Sequence, residues 1–102
     1  RFSEIIDRLS ATIAARAGAD ASTSWTAKLL ADPKLAAKKL GEEALETALA
    51  DTPDQVAAES ADLIYHWLVL LKARGVTLDD VAAKLEAREG TSGIAEKASR
   101  RP

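Results

Sequence analysis

Residues 42–62 read EEALETALADTPDQVAAESAD, and the organisation of the chain follows from them. Two segments rich in Ala and carrying acids at helical spacing flank Thr52-Pro53-Asp54-Gln55. That tetrad places Thr at a helix N-cap, Pro at the first helical position and Gln three residues after the cap, a capping box that starts a new helix. So short a linker predicts two helices running antiparallel, side by side. The first opens at Asp32-Pro33, where Asp can accept from the orphan first-turn amides. It carries Leu35, Leu40, Ala44, Leu45, Ala48 and Leu49 and should stop near Asp51. The second begins at Pro53 and is apolar on nearly every side from Leu63 to Leu71, before Lys72 and Arg74. In a chain of 102 residues, a helix with no polar face predicts burial both in its own subunit and in a second, hence a homodimer.

Working outward, Phe2, Ile5, Ile6, Leu9 and Ile13 recur at spacings of three and four and predict an amphipathic first helix ending near Ala17 or Gly18. A small, polar loop from Gly18 to Ser24 leads to a short helix, Trp25 to Leu30, with Ser22 or Ser24 free to cap it. Gly75 ends the long apolar helix, and Thr77-Leu78-Asp79-Asp80 starts another, whose buried stripe should be Leu78, Val81 and Leu85. Residues 1–90 are therefore read as one domain, and 91–102, which lack sustained periodicity, as a mobile tail. Composition agrees: 22 Ala, 13 Leu, 5 Ile and 4 Val, with four aromatic residues, favour helix over strand. The expected fold is an all-α antiparallel bundle of four to five helices completed by dimerisation. A net charge of −2 argues against a partner made of nucleic-acid polymer, and the absence of Cys excludes thiolate chemistry and Cys-based metal sites. The apolar stretch of nine residues is far short of the roughly 20 that span a bilayer, and no signal-peptide core is visible, so a cytoplasmic protein is expected.

The chemistry lies in the acids. At about 100° per residue, Glu42, Glu43 and Glu46 fall in one sector of the first long helix, while Glu59 and Asp62 lie within roughly 60° of each other on the next. Glu46 stands about six residues before the turn and Glu59 about six after it, so the rise per residue sets both at similar height on facing helices. Such like charges repel unless a cation intervenes. Carboxylate oxygens without His or Cys partners select Mg²⁺, with Mn²⁺ as substitute, and Mg²⁺ keeps positions open for water and phosphate oxygens, which implies a polyphosphate substrate. Lys38 and Lys39, one turn before the acids, border the same sector. They and Lys28 are candidates for substrate phosphate, against plain helix ion pairs or a surface Lys beside a core Trp. His66, four residues after Asp62, is a partner to a ligating carboxylate, a satisfied interior His, or a direct ligand or proton carrier. The missing Glu-x-x-His pattern counts against a ferritin-like di-iron bundle.

Glu43-x-x-Glu46 followed at twelve residues by Glu59-x-x-Asp62 resembles the signature of the MazG-like all-α nucleoside triphosphate pyrophosphohydrolases. More narrowly, Ser24-Trp-Thr-Ala-Lys-Leu-Leu30, Lys38-Lys-Leu-Gly-Glu-Glu-Ala-Leu-Glu46, Glu59-Ser-Ala-Asp-Leu-Ile-Tyr-His66 and Arg74-Gly-Val-Thr-Leu-Asp-Asp-Val81 are similar to the phosphoribosyl-ATP pyrophosphohydrolase family of histidine biosynthesis. Trp25 stands where that pattern more often has Tyr. The resemblance implies Mg²⁺-dependent hydrolysis of 1-(5-phosphoribosyl)-ATP to 1-(5-phosphoribosyl)-AMP and pyrophosphate in a cytoplasmic homodimer. It implies Glu43, Glu46, Glu59 and Asp62 as metal ligands, Glu42 as ligand or base, and Lys28, Lys38 and Lys39 on phosphate. Two alternatives stay open on the residues alone: a house-cleaning (d)NTP pyrophosphatase of the same superfamily, and a non-catalytic helical dimer that binds a nucleotide or a partner.

Overall fold

A computed structural model of the chain describes residues 1–90, and the tail expected over 91–102 lies outside the described residues. The described residues form five helices and no strand: α1 (Phe2–Ala15), α2 (Trp25–Leu30), α3 (Pro33–Leu49), α4 (Pro53–Ala73) and α5 (Leu78–Glu86). α3 and α4 form the main antiparallel pair, α1 and α2 pack on α4, and α2 also touches α3.

Local chemistry sets each boundary. Ser24 Oγ accepts from the Ala27 amide at 3.1 Å and Asp32 Oδ1 from the Leu35 amide at 3.2 Å, so α2 and α3 start where a side chain replaces a missing carbonyl. At α4 the Gln55 amide donates to Thr52 Oγ1 (3.1 Å), and Gln55 Oε1 accepts from the amides of Thr52 (3.2 Å) and Asp51 (3.1 Å). To present those two amides the chain turns extended at Ala50, which ends α3 at Leu49, slightly before the expected stop. α1 likewise ends at Ala15, because the amides of Arg16 and Ala17 reach back only three residues, to the carbonyls of Ile13 and Ala14. α4 closes in a Schellman motif: the Val76 amide bonds to the Leu71 carbonyl (2.9 Å), the Gly75 amide to that of Lys72 (3.2 Å), and Gly75 takes φ +71°.

The core is small. Ile13, Leu29, Ala36, Leu68 and Val69 are buried together, with Ile6, Leu9, Ile64 and Trp67 among the half-buried residues packed around them. Of α4's apolar run only Leu68 and Val69 are buried within the chain. Two expected stripes are incompletely covered. Leu78 packs on the core and Val81 is half-buried, but Leu85 is 61% exposed, because α5 touches the other helices only sparsely. Phe2, in the first turn of α1, is 66% exposed.

Candidate active site

The antiparallel pair brings the acids of α3 and α4 together across the interhelical groove. One carboxylate oxygen from each of Glu43, Glu46 and Glu59 lies within 4.8 Å of the others. Glu43 and Glu59 are half-buried, and each has one buried oxygen, Oε2, with no hydrogen-bond partner; Glu46 faces solvent. Burying an unsatisfied carboxylate oxygen is unfavourable, more so beside two others.

The electrostatics carry that cost. Glu59 sits above the ordinary carboxylate range, chiefly because Glu46 stands close enough to share a proton with it, then through lost hydration and the charges of Glu46, Glu43 and Asp62. Glu43 is raised as well, first by lost hydration, then by the charge of Glu46; the His66 ring pulls it back and Asp62 pushes it up again. Asp62, one turn after Glu59 and exposed, thus belongs to the electrostatic field of the trio although its oxygens are not among the converging three. Glu42 turns instead toward Lys39, whose Nζ lies 3.3 Å from Glu42 Oε2.

His66 is half-buried, and its Nδ1 donates to the Asp62 carbonyl at 2.8 Å. Since a carbonyl only accepts, Nδ1 carries the proton of that bond. The Tyr65 ring meets the imidazole edge-on, with centroids 4.9 Å apart. Tyr65 OH also shares a hydrogen bond with Thr26 Oγ1, tying α2 to the acid-bearing helix. Nothing in the spacing of positions 26 and 65 announces that bond, since only the packing of α2 on α4 brings them together.

The lysines divide. Lys28 Nζ and Lys39 Nζ stand 5.7 and 5.9 Å from the centroid of the Trp25 ring, while Lys38 is exposed and, among the described residues, has no carboxylate within ion-pair distance.

Three converging carboxylates, two of them with an orphaned buried oxygen, fit a hard divalent ion. The donor set, oxygen without nitrogen or sulfur, suits Mg²⁺ or Mn²⁺.

Comparison with known proteins gives a concordant result. The phosphoribosyl-ATP pyrophosphohydrolase family model matches residues 6–89. A protein of Caulobacter vibrioides (strain NA1000 / CB15N) named phosphoribosyl-ATP pyrophosphatase is 68% identical over 103 residues, covering 98% of this chain and 96% of its own. Proteins of the same name from Caulobacter sp. (strain K31) and Cereibacter sphaeroides (strain KD131 / KCTC 12085) are 65% and 56% identical over 100 residues. They cover 95% and 94% of this chain, and 94% and 97% of their own lengths.

Proposed function

From the premise that this chain belongs to the phosphoribosyl-ATP pyrophosphohydrolase family, we propose a division of labour among its residues. The reaction is hydrolysis of 1-(5-phosphoribosyl)-ATP to 1-(5-phosphoribosyl)-AMP and pyrophosphate, a step of histidine biosynthesis. One water is consumed and one phosphoanhydride bond broken. Residues 1–90 form the catalytic domain, and the enzyme works in the cytoplasm. That placement is supported by its biosynthetic role and by the lack, among the described residues, of a helix long and apolar enough to cross a membrane.

Glu43, Glu46 and Glu59 hold Mg²⁺, with Asp62 completing the acidic set; Mn²⁺ can substitute. The carrying observation is the trio of oxygens within 4.8 Å of one another, two of its members with an unpartnered buried oxygen. Bound there, the ion supplies charge neutralisation for phosphate oxygens and acidifies water. The protein's own groups do the rest. His66, fixed by its bond to the Asp62 carbonyl, keeps its ring oriented beside Glu43. Glu42, outside the trio, serves as a further ligand or as the base that takes the proton of the attacking water. Lys28, Lys38 and Lys39 offer ammonium groups to substrate phosphates.

The active species is a homodimer. Support comes from the scarcity of burial: α4 covers only Leu68 and Val69 within the chain, Leu45 and Leu49 of α3 are 60% and 68% exposed, and Leu40, Leu63, Ile64 and Trp67 line a wholly apolar cleft of about 380 Å³. A second copy would cover what one copy leaves wet.

The test is pyrophosphate release from phosphoribosyl-ATP set beside a panel of canonical and damaged nucleoside triphosphates, with Mg²⁺ and with EDTA. Rapid Mg²⁺-dependent turnover of phosphoribosyl-ATP alone is expected. Equal or faster turnover of the panel would contradict the assignment, as would activity that survives EDTA.

A further inference from the structure

Trp25 is 45% exposed, so part of its ring is open at the surface. Two ammonium groups from different helices are drawn to that ring: Lys28 lies one turn further along α2 and Lys39 comes across from α3. Each gains from the ring's electron-rich face, but the two charges repel each other. Glu42 offsets Lys39 at 3.3 Å, whereas Lys28 has no carboxylate within ion-pair distance among the described residues. An aromatic face with an uncompensated cation beside it is therefore set at the edge of the acidic groove. Lys39, which reaches the ring from α3, stands one turn before Glu43 on that helix, and the Thr26–Tyr65 hydrogen bond ties α2 to α4 three residues past Asp62.

On the functional reading above, the substrate is a planar base with anionic groups at both ends, a triphosphate on one ribose and a single phosphate on the other. The acidic trio, neutralised by a cation, accounts for the triphosphate end. The far phosphate needs its own positive partner, because the carboxylates repel it. We propose that Trp25 stacks on the base and that Lys28, assisted by Lys39, binds the phosphate of the phosphoribosyl arm, so that this patch separates phosphoribosyl-ATP from ATP. The two ammonium groups keep the ring face covered in the free protein and swing to the phosphate as the base takes their place. Planarity of the indole suits any purine, so the stack supplies affinity and the ammonium supplies the discrimination.

Because this assignment rests on the proposed function, its test avoids turnover. Tryptophan fluorescence is titrated in EDTA with phosphoribosyl-AMP and with AMP, for the wild type, Lys28→Met and Trp25→Phe. The wild type should be quenched by phosphoribosyl-AMP and bind it roughly tenfold or more tighter than AMP, as expected for one charge-assisted contact. Lys28→Met should bring the two affinities close together, and Trp25→Phe should lose the quenching. The assignment is overturned if the wild type does not bind phosphoribosyl-AMP without metal or binds both nucleotides alike. It is also overturned if Lys28→Met keeps the preference, or if quenching survives in Trp25→Phe and so belongs to Trp67. Mg²⁺-dependent turnover of phosphoribosyl-ATP by the same wild-type preparation separates the two failures: turnover without binding preference removes the patch alone, and no turnover removes the functional reading.

Discussion

Glu46 acts on two neighbouring carboxyls in the same sense. It is the first cause of the raised Glu59 carboxyl and the second cause, after lost hydration, of the raised Glu43 carboxyl. A group that perturbs both partners is the one whose removal most relaxes the cluster. Replacing Glu46 or Glu59 by Gln should lower pyrophosphate release by about 100-fold or more, in line with losing a preorganised electrostatic contact. Far-UV circular dichroism should remain unchanged, and full activity in either variant contradicts the site. Spacing places Glu43, Glu46 and Glu59 in one acidic group with Glu42 and Asp62, because helical periodicity and turn length are enough to set two positions at one height, but it does not separate the converging three from the other two. The finer geometry depends on rotamers and neighbours: the turning of Glu42 toward Lys39, and of the His66 Nδ1 onto the Asp62 carbonyl, are choices among wells that a linear pattern does not rank. The meeting of Lys28 and Lys39 over Trp25 is of the same kind, since those residues come from helices whose packing angle no periodicity states.

Helix boundaries in this protein are written in side-chain caps, and so they could be read from the chain. Thr52-Pro53-Asp54-Gln55 and Thr77-Leu78-Asp79-Asp80 both form reciprocal capping boxes. Thr52→Ala should cost about 1 kcal/mol of unfolding free energy, measured by urea titration, and no change would show the α4 cap to be dispensable. Gly75→Ala should cost about 1 kcal/mol through the positive φ of the Schellman turn, seen as a lower urea midpoint at unchanged slope. Asp80 carries a pH signature. Its carboxyl is held below the ordinary range, first by the Thr77 amide and then by the Thr77 hydroxyl. A carboxylate depressed on folding adds stability above its unfolded pKa of about 3.9, and that contribution disappears as pH falls through the folded value. The wild type should therefore melt higher than Asp80→Asn near neutrality, and the two melting curves should converge in acid; a gap constant with pH contradicts the cap's ionic character. α5 shows where pattern reading stops. Leu78, Val81 and Leu85 share a stripe, yet Leu85 is exposed, because amphipathicity states that a face is apolar and not which surface meets it.

At the scale of the molecule, the small buried cluster around Leu29 and Val69 leaves Leu45, Leu49 and Leu85 to water in a single copy. Association is the economical remedy: light scattering after size exclusion should give twice the 10.8 kDa chain mass at micromolar concentration, and a monomer would remove the dimer. Repulsion among the acids should also couple metal to stability. Mg²⁺ at 100 times its dissociation constant should add about 2.7 kcal/mol to the unfolding free energy and so raise the thermal midpoint, and EDTA should reverse it. The all-α class and the α3–α4 pairing were legible because composition, caps and a three-residue turn all point one way; the extent of burial was not, since a pattern states that a face is apolar and not what covers it. The most direct test of the metal site is electron paramagnetic resonance of Mn²⁺ titrated with the wild type and with Glu59→Gln. The wild type should deplete the signal of free Mn²⁺, Mg²⁺ should restore it, and the variant should leave it intact; equal Mn²⁺ uptake by both proteins, or none by the wild type, would contradict a cation held between α3 and α4.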